Sequence, residues 1–222
     1  MIKSVVEINQ MCSGQVGGHH YVDLGLPSGL KWAVCNIGAS EPWEVGDYFA
    51  WGEGSPKEDY SNETYKWGRW DNLTKYCTQT TSLNIFGNVD NKSILEMEDD
   101  AAAVNWGNGW HIPSIGDMME LGKGCEWERD VEDFEGSGIG GFIGHSKYNG
   151  NSIFFPDAGH RDGFKTIFNG RGKYVSSSIS QSHPFDCYIL APCLYGPFVE
   201  GGNSRFVGCS VRAVININND KI

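Results

Sequence analysis

Glycine interrupts this chain thirty times in 222 residues, and no heptad pattern is sustained between the interruptions. Glycine costs a helix interior roughly 1 kcal/mol relative to alanine and opens backbone conformations that other residues avoid. Long helices are therefore excluded, and short elements joined by many turns are expected. Eight tryptophans supply the anchors that such loops need, since each large aromatic buries roughly 150–250 Å². With 40% hydrophobic residues the chain can build a sizeable core, so disorder is not expected.

Residues 1–18 end in the glycine-rich SGQVGG and read as a frayed appendage, with a homo-oligomer contact as the alternative. Residues 19–222 read as one domain. The run YVDLGLPSGLKWAVCNIG holds two short alternating stretches around a Leu-Pro-Ser-Gly turn, a hairpin signature, and DYFAW follows as a third strand. Residues 52–92 are polar and aromatic, and predict a long surface excursion held down by Trp67, Trp70 and Tyr76. Helices are expected from about Glu98 to Val104, with Asp99 and Asp100 at the positive end of the dipole, and from Pro113–Ser114 to about Leu121. After Cys125 the candidate strands are GFIGHSKY, SIFFPDA, KYVSSSI, CYIL and SVRAVINI. Hairpins, two helices and a β-rich second half together describe an α+β domain.

The formal net charge of −11 argues against nucleic-acid binding, which needs a basic face, and disfavours docking on an anionic membrane. No run approaches ~18 apolar residues, so no membrane insertion is expected, and the first residues lack the apolar core of a signal peptide. Seven cysteines without a CxxC pair point to free, buried thiols rather than a zinc ribbon. The acidic run Glu96, Glu98, Asp99, Asp100 is either a cation site or the ordinary acidic opening of a helix, and the second reading is preferred. GSGIGG (136–141) matches the dinucleotide-binding string, but an acidic stretch precedes it and a strand pattern follows, so it reads as a flexible loop. His160-Arg161-Asp162 cannot act as a triad if adjacent strand residues point to opposite faces. No catalytic residue, metal or cofactor is predicted.

Residues 185–199, FDCYILAPCLYGPFV, are apolar enough for a core yet carry two prolines and two cysteines. Several strings place this stretch in a wider pattern: YVDLGLPSGLKWAVCNIGAS, GDYFAWGE, VDNKSILEMEDDAAAVNWGNGWHIPS, NSIFFPDAGHRDG, YVSSSI and GCSVRAV. Together they resemble the bacterial paralogous domains of C-type lectin fold found in Bacteroidetes and Fibrobacter, over about Tyr21 to Val214. One departure is Val175, where those domains usually carry Trp. The resemblance implies a C-type lectin-like fold and a relation to the variable proteins of diversity-generating retroelements. In those systems adenine rewriting of AAC or AAT codons yields a residue set without Lys, Glu, Gln, Met and Trp. From Ser182 to Val211 these five types occur once, as Glu200.

The implied variable segment is 180–209, with Ile189, Ala191, Cys193, Phe206, Val207 and Cys209 facing outward between framework residues such as Tyr188 and Leu190. A plain buried core is the competing reading of the same bias. His183, Phe185, Tyr195, Phe198 and Phe206 add the aromatic character that interfaces concentrate. The calcium-dependent sugar site of lectins is not expected. Glu41-Pro42-Trp43 lacks the amide oxygen and Trp70-Asp71-Asn72 has the wrong order for calcium's shell of roughly 6–8 oxygens. The resemblance implies a non-enzymatic protein that binds a protein or glycan receptor on a cell surface, in phage host recognition or bacterial adhesion. A structural module of a surface assembly and a formylglycine-generating-type oxidase using Cys187/Cys193 or Cys193/Cys209 are the rival readings.

Overall fold

The computed structural model describes residues 11–78, 87–130, 133–168, 171–193 and 196–217. The chain opens with β1 (Gly14–Val16), β2 (His19–Val22), β3 (Lys31–Ala33) and β4 (Tyr48–Phe49). After the 52–92 excursion come α1 (Ala101–Trp106) and α2 (Ile115–Gly124), then β5 (Cys125–Asp130), β6 (Gly141–Ser146) and β7 (Ser152–Pro156). A small hairpin, β8 (His160–Asp162) and β9 (Lys165–Ile167), precedes β10 (Tyr174–Ile179), β11 (Asp186–Cys193) and β12 (Gly196–Ser204). Two short strands, β13 (Cys209–Ser210) and β14 (Val214–Ile215), end the described chain.

These elements correct the α+β, C-type lectin-like expectation. Among the described residues fourteen strands and two α-helices make a predominantly β fold, 34% strand against 10% helix. Both helices lie close to where the sequence places them, but each is too short to form a layer. The Asp100 carboxylate caps α1 by accepting from Ala102 N and Ala103 N, and Gly107 closes the helix at φ 56°. The Ser114 side chain caps α2 in a reciprocal box with Asp117, and α2 runs directly into β5.

The strands assemble as β1-β2-β3-β14, β12-β11-β10-β13-β4, β5-β6-β7 and β8-β9. Residues 14–16, within the stretch read as an appendage, form β1 and pair with β2. The Leu-Pro-Ser-Gly turn does separate two antiparallel neighbours, with Tyr21 opposite Ala33. The last strand returns to the first sheet, with Val214 opposite Trp32. Arg212 fixes that return: its guanidinium is buried, donates to Asn36 Oδ1 at 2.8 Å and Val34 O at 2.8 Å, and lies 4.8 Å from the Phe155 ring.

Apolar packing covers both faces of β10 and β11. Cys187, Ile189 and Ala191 join Trp51, Val175 and Val211 in one cluster, whereas Leu190 and Tyr174 enter a second with Trp32 and Phe155. A strand buried on both sides reads as a continuous apolar run rather than an alternation. That accounts for the apolar run from Cys187 to Ala191 without invoking an exposed surface. Pro192 pairs with Pro197 near the end of β11, against the edge strand β12, where a missing ladder donor costs least.

Candidate binding site

The 52–78 loop has neither helix nor regular strand, and side-chain bonds to backbone hold it in place. Tyr65 Oη donates to Trp51 O at 2.7 Å and Trp67 Nε1 donates to Gly52 O at 2.9 Å. Tyr76 is fully buried, with its ring 4.9 Å from Trp51. Trp70 behaves differently from the anchor expected of it. Its backbone N donates to Asn62 Oδ1 at 3.2 Å, and 49% of the residue remains exposed. A tryptophan left in water on a well-bonded loop is a binding-site signal.

The facing wall comes from the C-terminal segment. Arg205 N donates to Phe185 O at 3.1 Å, and Val207 N donates to Ser204 O at 3.0 Å, which turns the chain at Phe206. Beneath it the Arg205 guanidinium is 1% exposed, bonded to Lys75 O at 3.3 Å and to Tyr76 O, and stacked 4.7 Å from Trp51. Between the walls lies a groove of ≈ 170 Å³, lined by Asn62, Tyr65, Trp70, Phe185, Ser204 and Phe206 among others. That is smaller than the roughly 300–1,000 Å³ of ordinary small-molecule pockets, and suits one ring or side chain of a larger partner.

Of the ten residues predicted for the site, the structure brings Phe185 and Phe206 into this groove. His183 is exposed, with its ring 5.6 Å from that of Phe185. Ile189, Ala191 and Cys209 are corrected: they are 1%, 4% and 0% exposed and face the core. Val207 is half-buried against the same core cluster. Tyr195 lies outside the described residues, as do the side chains of Cys193 and Phe198. Sequence reasoning missed Tyr65 and Asn62. The usable signal for Trp70 was its place in the glycine-containing WGRW of a polar loop.

The groove offers faces and hydrogen bonds rather than reactive groups. Burial pushes the Tyr65 phenol far above its ordinary range, and Asp186 behind the wall is also raised by burial, partly offset by the Ser204 hydroxyl. Elsewhere, His160 is buried and Asp162 exposed on β8, so the His-Arg-Asp string does not converge. Cys187 and Cys209 meet around the Asn203 amide, whose Nδ2 lies 3.9 and 3.4 Å from their sulfurs. Burial pushes the Cys209 thiol up to about 12 and Cys187 higher still, so both stay protonated at neutral pH.

Glu96, Glu98 and Asp99 do present their oxygens to one centre. The Lys75 ammonium sits at it, 2.6 Å from Glu96, 3.4 Å from Glu98 and 2.6 Å from Asp99, with Lys66 3.0 Å from Asp99. This lysine supplies the positive charge that a divalent cation would bring. No protein-family model, curated protein or solved structure matches this chain.

Proposed function

We propose that this is a non-enzymatic binding protein, engaging a protein or glycan receptor on a cell surface through the Trp70–Phe206 groove. The observation that carries the reading is Trp70, half-exposed across an aromatic groove whose opposite wall is Phe185 and Phe206. Aromatic side chains of this kind act as anchors because they bring large contact area with few torsions to freeze. The resemblance to the variable proteins of diversity-generating retroelements supports the same segment, narrowed to its accessible positions His183, Phe185 and Phe206. The residues lining the groove include an arginine and no carboxylate, a poor donor set for calcium, so binding is expected to be indifferent to that ion.

A second reading follows from the burial of Ile189, Ala191 and Cys209. Half of the implied variable positions hold the core together, as they would in a structural module with no diversified surface. The test is binding of the purified protein to a glycan microarray and to bacterial cells, with and without EDTA, alongside Trp70→Ala. On the binding reading Trp70→Ala lowers affinity by ~30-fold or more, and EDTA changes nothing. Binding that survives Trp70→Ala, or that requires calcium, removes the groove from the account. No binding by the parent to either target favours the structural module.

A further inference from the structure

We propose that the β8–β9 hairpin is an acid-sensitive clasp on the Trp70–Phe206 groove, released when His160 takes up a proton. Its bearing on binding rests on the groove being the receptor site, whereas the clasp itself can be tested without any receptor. The groove has one wall from the 52–78 loop and one from the C-terminal segment, and Arg205 ties them at the floor through Lys75 O and Tyr76 O. The hairpin is a second tie, and it holds both walls by their backbone.

On the loop side Tyr60 N and Gly163 N each donate to the other's carbonyl at 3.0 Å, and Arg161 Nη2 donates to Glu58 O at 2.9 Å. Tyr60 lies two residues before Asn62, whose Oδ1 accepts from Trp70 N at 3.2 Å. On the other side Arg161 N donates to Gly208 O at 2.7 Å and Gly208 N to Arg161 O at 2.9 Å, two residues beyond Phe206. Gly208 allows this approach, because a Cβ there would stand 2.6 Å from the Tyr60 ring and 2.9 Å from the Arg161 side chain. A path of hydrogen bonds and short chain segments thus runs from Trp70 through Asn62, Tyr60, the hairpin and Gly208 to Phe206. The hairpin is the weak member of that path. Its strands have three residues each, and Lys165 and Thr166 on β9 are exposed. A two-stranded ribbon of that size is marginal without outside support, and local opening is easiest in such units.

His160 supplies the sensitivity. It sits on β8 opposite Ile167, is 9% exposed, and its Nδ1 has no hydrogen-bond partner among the described residues. A neutral imidazole tolerates one bare nitrogen. The imidazolium carries a proton on both, and a buried N–H without an acceptor is costly. The surrounding groups do not relieve it. Lys173, whose N donates to Gly159 O at 3.2 Å and whose Nζ donates to Asn203 Oδ1 at 3.0 Å, adds a like charge. From β4 the Tyr48 phenol donates to Ala158 O and is pushed up by burial, and from β13 the Cys209 thiol stays protonated, so neither brings a negative charge. Arg161 is turned to Tyr60 and Glu58, and Asp157 to Arg129 at 2.7 Å. Asp162 favours the charged form, but it is exposed to water. Burial, with Lys173 adding to it, therefore holds the imidazole below its ordinary range near pH 6.5. A value lower in the closed hairpin than in the open one means that the open form binds the proton more readily. The clasp is at full strength above about pH 6.5 and weakens as pH falls below it.

Hydrogen–deuterium exchange of the intact protein at about pH 7.5 and about pH 5, corrected for intrinsic rates, tests the proposal without a receptor. In the parent, protection of the Tyr60, Arg161, Gly163 and Gly208 amides is expected to fall by ~5-fold or more on acidification, and that of Trp70 N to follow. His160→Phe keeps a ring that cannot be charged, and is expected to hold the same protection at both values. His160→Gln stands in if the phenylalanine variant does not fold. His183→Gln is the control, because that exposed imidazole lies 5.6 Å from Phe185 at the groove, and the acid response is expected to persist in it. Equal protection of the parent at both values overturns the proposal, as does an undiminished acid response in His160→Phe or its loss in His183→Gln. A response that leaves Tyr60 and Trp70 protected would mean a fraying hairpin rather than a clasp, and overturns it too. Whether the groove binds a receptor is read separately, from Trp70→Ala at neutral pH with the clasp closed, so either reading can fail without the other.

Discussion

Ile189 and Phe206 come from the same segment of sequence, yet the first is 1% exposed in the main cluster and the second half-buried at the groove. Truncating Ile189 to alanine removes buried carbons and leaves a cavity, which costs about 2–5 kcal/mol. Phe206→Ala is expected to cost less stability and to lose the groove's binding instead. Urea denaturation of both variants checks the contrast: a large loss for Phe206→Ala with little for Ile189→Ala would reverse the assignment of inside and outside. Much of the aromatic character of the site is legible in the sequence, since Phe185 and Phe206 stand in a segment almost free of Lys and Glu. The facing is not. Alternation tells inside from outside only when one face meets water, and Ile189 and Leu190 are adjacent and both buried. Two apolar neighbours in a strand covered on both sides carry no phase.

At the scale of elements, the start of α1 is tied to the preceding loop by one acidic centre. Burial alone would raise the Asp99 carboxyl, but bonds from Lys75, Tyr76 and Lys66 outweigh it and hold the group below the ordinary carboxylate range. A folded-state value below the unfolded one contributes stability that is present above the ordinary range near pH 4 and is lost as pH falls through the folded value. Asp99→Asn is therefore expected to cost about 2 kcal/mol at neutral pH, with the difference from the parent shrinking as the medium is acidified below about pH 4. Urea midpoints of both proteins across that range decide it. A difference that stays constant or grows on acidification would show that the bonds to Asp99 do not depend on its charge. The sequence indicates a helix opening on Asp99 and Asp100, and Asp100 does cap it. It holds no sign that Lys75, 24 positions earlier, would occupy the acidic centre, because helix-end statistics see only neighbours along the chain.

For the molecule as a whole, the decisive connection is the one that local pattern shows least. The element sequence of hairpins, helices and later strands is largely readable, because each is set by turns and apolar runs within a few residues. The sheet order is not, since β14 pairs with β3 and the Arg212 guanidinium reaches Ala33 across 179 positions. Backbone bonds at that place are numerous: Ala33 N donates to Ala213 O at 2.8 Å, and Val214 and His111 exchange bonds at 2.9 and 3.0 Å. Val214 is fully buried beside Trp32, so ending the chain after Val211 would strip one edge of the first sheet and expose both clusters at once. Because the same strand closes the N-terminal sheet and seals α1's connection to α2 through His111, the loss cannot stay local. The truncated protein is expected to unfold without a cooperative transition and to lose near-ultraviolet circular dichroism, whereas the full chain unfolds in one step. A truncated chain that keeps a sharp transition would mean that the first sheet is an accessory, and that the stability of the protein resides in the β10–β11 layer alone.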